Sequence, residues 1–266
     1  MSSVLQRNNV RILGKGTRIL FFTHGFGCDQ NMWRYIYPSF EEAYRIVLID
    51  HVGAGGSDLA AYSFDKYDTL DGYVDDILEV IDELQLKEVT FVGHSVGALM
   101  GIIAAIRRPE IFSRLILVSP SPSYINEGAY TGGFTRPQIN ELLEALEDNH
   151  LGWSMTMAPV IMGNPDRKEL GEELANSFCR TDPAIAKQFA RTTFLSDKRH
   201  IIGQTPVPSL ILQCSSDVIA PVEVGEYMHE QMPASTLVIL NATGHCPNLS
   251  APAETISAIQ DYLHEV

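Results

Sequence analysis

A chain of 266 residues, 45% hydrophobic and 20% charged, is long enough for one large domain or for one domain carrying an insertion. Its formal net charge of −14 argues against nucleic acid or an anionic membrane as partner, because both are polyanions. The four cysteines (Cys28, Cys179, Cys214, Cys246) are scattered without a C-x-x-C pair, the start has no apolar signal-peptide core, and no run of roughly 18 apolar residues occurs, so a reducing cytoplasmic setting is the expectation.

Asn9–Leu13 predicts a first strand, with Gly14 and Gly16 in the turn after it. Arg18–Thr23 is almost continuously apolar, as a strand buried on both faces should be, and ends in His24-Gly25-Phe26-Gly27-Cys28-Asp29. Asn31–Phe40 reads as helical, with Asn31 or Asp29 near its cap, and Arg45–Asp50 as a second buried strand. A helix capped by Thr69 or Asp71 runs to about Leu84, carrying Tyr73, Ile77, Val80, Ile81 and Leu84 on its apolar face. Val89–Val92 is a third buried strand. It runs into Gly93-His94-Ser95-Val96-Gly97, after which Ala98–Arg107 has the apolar density of a packed helix, and Arg114–Ser119 is another strand. Strands and helices that alternate in this way, with apolar rather than alternating strands, imply an α/β fold with a mostly parallel sheet covered on both faces.

From about Pro120 to Ser196 no short β-branched run appears. Four helical segments take its place: Pro137–Asn149, Leu151–Met162, Arg167–Phe178 and Pro183–Leu195, the last opened by an Asp182-Pro183 cap. A helical block between two strands of a parallel sheet reads as a lid. Strands resume at Ser209–Cys214 and Thr236–Asn241 around the helix Val222–Gln231, and Ala251–His264 closes the chain. The expected organisation is a core of residues 1–119 and 197–266, with a four-helix lid at 120–196.

The chemistry begins at Ser95. A strand that reverses into a helix within three residues needs glycine on both sides, and a serine at the apex has its Oγ standing clear of the backbone: a nucleophile elbow. Taken alone G-x-S-x-G is a weak signal; lodged between strand and helix it is much stronger. A serine hydroxyl also needs a base. Eight histidines are available (His24, His51, His94, His150, His200, His229, His245, His264), and in a parallel sheet the site lies beyond the carboxyl ends of the strands. His245, in the loop after Thr236–Asn241, meets that condition. His94 has a packing role beside the serine, whereas His150, His229 and His264 lie in helix patterns and are expected to be solvated. The orienting carboxylate cannot follow Arg114–Ser119, where Pro-Ser-Pro-Ser stands, but Asp217 follows Ser209–Cys214. The order Ser95, Asp217, His245 is that of a serine-hydrolase triad. Two N–H donors for the oxyanion are expected from Val96 and from Phe26, whose ring also walls the pocket. Gly53-Ala54-Gly55-Gly56 lacks the third glycine of a dinucleotide fingerprint, and no histidine–carboxylate cluster has metal-ligand spacing, so no cofactor and no metal are predicted.

The combination of His24-Gly25-Phe26-Gly27-Cys28-Asp29-Gln30, Asp50-His51-Val52-Gly53-Ala54-Gly55, Tyr67-Asp68-Thr69-Leu70-Asp71-Gly72-Tyr73, Gly93-His94-Ser95-Val96-Gly97-Ala98, Gly132-Gly133-Phe134 and Gly244-His245-Cys246-Pro247 resembles the α/β-hydrolases of the RsbQ type, bacterial energy-stress regulators. It is more distantly similar to the plant karrikin and strigolactone receptor hydrolases. Gly97 and Cys246 look like the bacterial branch, since the plant receptors carry serine at the position of Gly97. The resemblance implies a V-shaped four-helix lid over an apolar pocket walled by Phe26, Phe134, Trp153, Met157, Phe194, Val218 and Ile219. It implies slow hydrolysis of a small apolar ester or lactone that signals to a protein partner, a sensor-domain phosphatase for the RsbQ type. A metabolic carboxylesterase, or a carbon–carbon bond hydrolase of aromatic-ring degradation with the same triad, remains the alternative.

Overall fold

The computed structural model describes residues 3–264; the outermost residues of the two expected core segments, 1–2 and 265–266, lie outside them. The first part of the chain contains α1 (Val4–Arg7), β1 (Arg11–Leu13), β2 (Arg18–Thr23), β3 (Tyr44–Leu48), α2 (Leu70–Glu83), β4 (Val89–His94), α3 (Val96–Arg107) and β5 (Phe112–Val118). Then come α4 (Arg136–Asp148), α5 (His150–Met162), α6 (Lys168–Arg180), α7 (Pro183–Phe194) and α8 (Arg199–Ile202). β6 (Ser209–Ser216), α9 (Val222–Gln231), β7 (Ser235–Thr243), α10 (Pro247–Ser250) and α11 (Pro252–His264) complete it.

The strands explain the layers. Side chains alternate across a pleat, so the apolar run of β2 sends Leu20 and Phe22 to one face and Ile19 and Phe21 to the other. β5 does the same, with Ile116 and Val118 opposite Leu115 and Leu117. A sheet apolar on both sides is stable only when both are covered. α2, α3 and α9 cover one face through residues such as Val74, Ile77, Ile102 and Val224. α11 and the inserted helices cover the other, through Ile259 and Leu263 and through Ile139, Leu143 and Ile161. The sheet order is β1-β3-β2-β4-β5-β6-β7, parallel throughout except for β1, which pairs antiparallel with β3 at the edge. This is the α/β-hydrolase fold, with the carboxyl ends of β2, β4, β6 and β7 on one edge and the helices α4–α7 inserted between β5 and β6.

Two expected elements differ. The strand foreseen at Asn9 starts at Arg11, because Asn9 has φ of +44°, a left-handed conformation no strand residue adopts. Its side-chain amide is used instead, donating to Asp50 Oδ2 at 2.7 Å. The helix foreseen over Asn31–Phe40 is two separate 3₁₀ turns, Gln30–Trp33 and Tyr37–Phe40, the second opened by Pro38, whose missing N–H cannot continue a helix from the turn before. Asp29 caps the first, accepting from the Asn31 N–H at 2.8 Å. Among the described residues no helix is long and apolar enough to cross a membrane.

Candidate active site

Ser95 occupies the bend between β4 and α3 with φ of +55° and ψ of −124°, a combination that costs a non-glycine residue about 1–3 kcal/mol. The neighbouring glycines permit it by close approach. A Cβ on Gly93 would stand 2.6 Å from the Ala98 backbone, and one on Gly97 would stand 2.5 Å from the His24 carbonyl oxygen. Any side chain at either position forces the elbow apart.

Three segments distant in sequence then meet. His245, in the loop after β7, lies with Nε2 2.8 Å from Ser95 Oγ and Nδ1 2.7 Å from Asp217 Oδ2, and all three residues are buried. The other carboxylate oxygen of Asp217 accepts from the N–H groups of Ile219 at 2.8 Å and Ala220 at 3.2 Å, which fixes the plane of the carboxylate. Proton positions follow from the partners. A carboxylate only accepts, so His245 Nδ1–H donates to Asp217 and Nε2 keeps its lone pair. Ser95 therefore donates to His245 Nε2, and its own oxygen accepts from the Tyr124 hydroxyl at 3.2 Å. Burial pushes the Tyr124 phenol above its usual pKa, which keeps that donor protonated.

Three other histidines crowd this corner, and each holds a main-chain group rather than Ser95. His24 Nε2 accepts from the His51 N–H at 3.0 Å, so its Nδ1–H donates to the Gly25 carbonyl at 2.9 Å. His51 Nε2–H donates to the His24 carbonyl at 3.0 Å, and burial holds this ring's pKa well below the ordinary value. His94 Nε2–H donates to the His245 carbonyl at 2.7 Å, and burial, helped by the neighbouring His245, brings its pKa down to about 3. The bond from His94 ties the base-bearing loop to the elbow. This leaves His245 as the one ring among the four with an acceptor nitrogen on Ser95. The cysteines nearby are equally inert, since burial raises the thiol pKa of both Cys28 and Cys246.

The buried neutral His94 has a measurable consequence. An unfolded histidine takes up a proton near pH 6.5, whereas this one refuses it down to about 3, so the unfolded state binds the extra proton between those values. The contribution is intact above about pH 6.5 and is lost progressively as pH falls toward 3, with a slope of about 1.4 kcal/mol per pH unit. His94→Gln retains a donor for the His245 carbonyl without the titration. The difference in unfolding free energy between wild type and this variant, from urea melts at about pH 5.5 and 4.5, should shrink by about 1.4 kcal/mol.

The loop after β2 lies against the elbow, where a Cβ on Gly25 would come within 3.1 Å of Ser95 Cβ. Among the described residues the N–H of Phe26 and that of Val96, the first residue of α3, donate to no protein acceptor. Helix-start N–H groups have no intrahelical partner.

The cavity over Ser95 encloses about 30 Å³. Of the wall residues implied by resemblance, Phe26, Phe194 and Ile219 line it; Phe134, Trp153, Met157 and Val218 do not. Trp153 packs against two residues that do, its ring centroid 5.7 Å from Phe178 and 6.2 Å from Phe26. Met157, further along α5, is partly buried in the same apolar core. Phe134 is taken up by backbone pairing with Tyr124 and Asn126, at 3.1 and 2.7 Å, and packs on the core beside it. Val218 is 52% exposed: the turn that brings the N–H groups of residues 219 and 220 onto Asp217 directs Ile219 inward and Val218 out. His150, expected to be solvated, is 8% exposed at the start of α5, where its carbonyl accepts from Ser154, while His229 and His264 are exposed as expected.

Tyr124, Phe178, Thr193 and Cys28 line the cavity without having been foreseen. Tyr124 follows β5 at the same sheet edge as His245, so the strand-end rule that selects the histidine could have selected it. Phe178 had no such signal: it is an ordinary apolar position of α6, set against Gly27 so closely that a Cβ there would be 2.1 Å from its ring.

Comparison with known proteins agrees with the fold. A sequence profile of the alpha/beta hydrolase family matches residues 20–258. The chain is 42% identical over 253 residues to strigolactone esterase D14 of Arabidopsis thaliana, covering 95% of this chain and 94% of that one. It is 35% identical over 265 residues to the karrikin insensitive 2 receptor CA of Petunia hybrida, covering 99% and 98%. A solved hydrolase from Oleispira antarctica superposes with a TM-score of 0.96 at 38% identity, over 99% of this chain and 97% of that one.

Proposed function

The chain belongs to the alpha/beta hydrolase family, and from that premise we propose that it is a serine hydrolase acting on a small, largely apolar ester or lactone. One observation carries the reading: His245 is in hydrogen-bond contact with Ser95 through one ring nitrogen and with Asp217 through the other. His245 takes the Ser95 proton as Oγ attacks the carbonyl carbon, and Asp217 stabilises the imidazolium that results. The oxyanion lies between the N–H groups of Phe26 and Val96. His245 then gives the proton to the leaving alcohol, and a water activated by the same ring releases the acyl group. The reaction needs only water besides the substrate. Residues 120–196 act as the lid, and the four free cysteines suit a reducing cytoplasm.

The cavity over Ser95 is narrow and walled by aromatic rings, so the group bound against Ser95 is small unless those side chains move aside. Purified protein should hydrolyse para-nitrophenyl acetate, with kcat/KM lower by about tenfold or more for the hexanoate. Phe178→Ala should recover the longer ester while costing about 3–5 kcal/mol of stability. Absence of turnover on every ester overturns the reading.

A second role, ligand sensing through a protein partner, is favoured by α5. Its apolar side chains Leu151, Met155 and Val160 are 59%, 58% and 49% exposed on a helix otherwise packed against the fold. Relatives named as an esterase and as a receptor fit one scaffold serving both ends. A partner of the sensor-phosphatase kind, as in the RsbQ type, is the form this role would take here. Sensing tolerates slow chemistry, so the same ester assay separates the roles: a kcat far below the enzyme median of about 10 s⁻¹ belongs to a sensor, and one near it to a metabolic esterase.

A further inference from the structure

Buried serine and threonine hydroxyls on the helices find main-chain acceptors, two of them on the turn before. Ser154 donates to the His150 carbonyl at 2.7 Å and Thr255 to the Ala251 carbonyl at 2.9 Å. On α7, Thr192 donates to the carbonyls of Tyr67 and Asp68, each at 3.2 Å. The next residue breaks the pattern. Thr193 is 1% exposed, lines the cavity over Ser95, and its Oγ1 has no hydrogen-bond partner. His94 Nδ1 is the other orphaned side-chain atom on a cavity residue, but it lies against Gly25, where a Cβ would be within 2.7 Å. An unpaired buried hydroxyl is destabilising, and this one shares the cavity wall with the apolar side chains of Phe26, Phe178, Phe194, Leu174 and Ile161.

We infer that Thr193 is a specificity-determining residue: its hydroxyl donates to a second oxygen of the substrate, apart from the reacting carbonyl. The substrate class is thereby narrowed to a compact ester or lactone that also bears an ether or carbonyl oxygen. A site built to pair a polar group discriminates strongly against the analogue that lacks it, because the hydroxyl is then left unpaired in the complex. This inference rests on the hydrolase reading for its substrate, and the two are tested so that they fail separately.

The test uses matched pairs in which oxygen replaces a methylene: para-nitrophenyl methoxyacetate against the butyrate, and para-dioxanone against δ-valerolactone. The readout is the ratio of kcat/KM within each pair, compared between proteins so that intrinsic reactivity cancels. Thr193→Val should lower that ratio about tenfold, and Thr193→Ser should restore it. Thr193→Val should melt no lower than wild type, since it removes an unpaired group. In a Ser95→Ala background, para-dioxanone should raise the melting temperature more than δ-valerolactone does, and adding Thr193→Val should abolish the difference. An unchanged ratio and an unchanged binding difference overturn the inference, as does a marked loss of stability in Thr193→Val, which would mean the hydroxyl is bonded within the fold. If the wild type hydrolyses neither para-nitrophenyl acetate nor any of the four compounds, the hydrolase reading falls, while the melting comparison still decides the role of Thr193.

Discussion

Ser95→Ala is expected to lower kcat for para-nitrophenyl acetate by roughly five orders of magnitude while leaving the protein folded. The loss is large because the reaction has no second nucleophile to fall back on. The thiols of Cys28 and Cys246 are buried and held protonated, and Ser95 Oγ is the group set against His245 Nε2, at 2.8 Å. A residual rate about a thousandfold over water is consistent with the proposed mechanism, in which the N–H groups of Phe26 and Val96 polarise a bound carbonyl and His245 activates water. The fold should be nearly indifferent. Alanine suffers the same positive φ as serine, and the two lost hydrogen bonds, to His245 and from Tyr124, were partly a substitute for water. A melting temperature within about 4 °C of wild type is the expected result in a thermal scan. Retained turnover at a tenth of the wild-type rate would remove Ser95 from the chemistry.

The parts of this site that could be read from the residues are those where one physical requirement leaves few choices. Gly93 and Gly97 had to flank a strand-to-helix reversal, and the closeness of Ala98 and of the His24 carbonyl to these positions gives the reason in distances. Asp217 and His245 were legible because side chains that act at the rim of a parallel sheet must come from the ends of strands. Regular elements were legible for a similar reason: β2 and α9 have the bounds that their apolar pattern and caps predict. What stayed hidden depends on contacts that no local pattern encodes. Asn9 leaves the strand because its amide has Asp50 to bind, and that partner lies 41 residues away. Val218 points outward through a turn set by the Asp217 carboxylate, a choice invisible in Asp-Val-Ile-Ala. Trp153 and Met157 do share a face of α5, but that face packs into the apolar core, with Trp153 against the rings of Phe26 and Phe178. Thr193 is hidden most completely, because nothing in the sequence distinguishes it from Thr192, whose hydroxyl is spent on the main chain.

Asp217→Asn is expected to cost about four orders of magnitude in kcat with little change in KM, and the reason lies on the side of the carboxylate away from the histidine. Oδ1 accepts two backbone N–H groups, from Ile219 and Ala220. An asparagine must set its oxygen there, because its amino group would oppose both donors. The amino group is then forced toward His245 Nδ1, 2.7 Å away in the wild type, where it can only donate. That makes Nδ1 the acceptor and moves the ring proton to Nε2, so the nitrogen facing Ser95 becomes a donor and can no longer accept its proton. The geometry survives and the chemistry does not. Nitrogen NMR of the labelled imidazole should report the proton on Nδ1 in wild type and on Nε2 in the variant. Asp217→Ala, which imposes neither tautomer, should lose less activity than Asp217→Asn. If the asparagine variant kept more than about a tenth of the wild-type kcat, or if its imidazole kept the wild-type tautomer, Asp217 would be a structural cap of its own turn and the orienting carboxylate would have to be sought elsewhere.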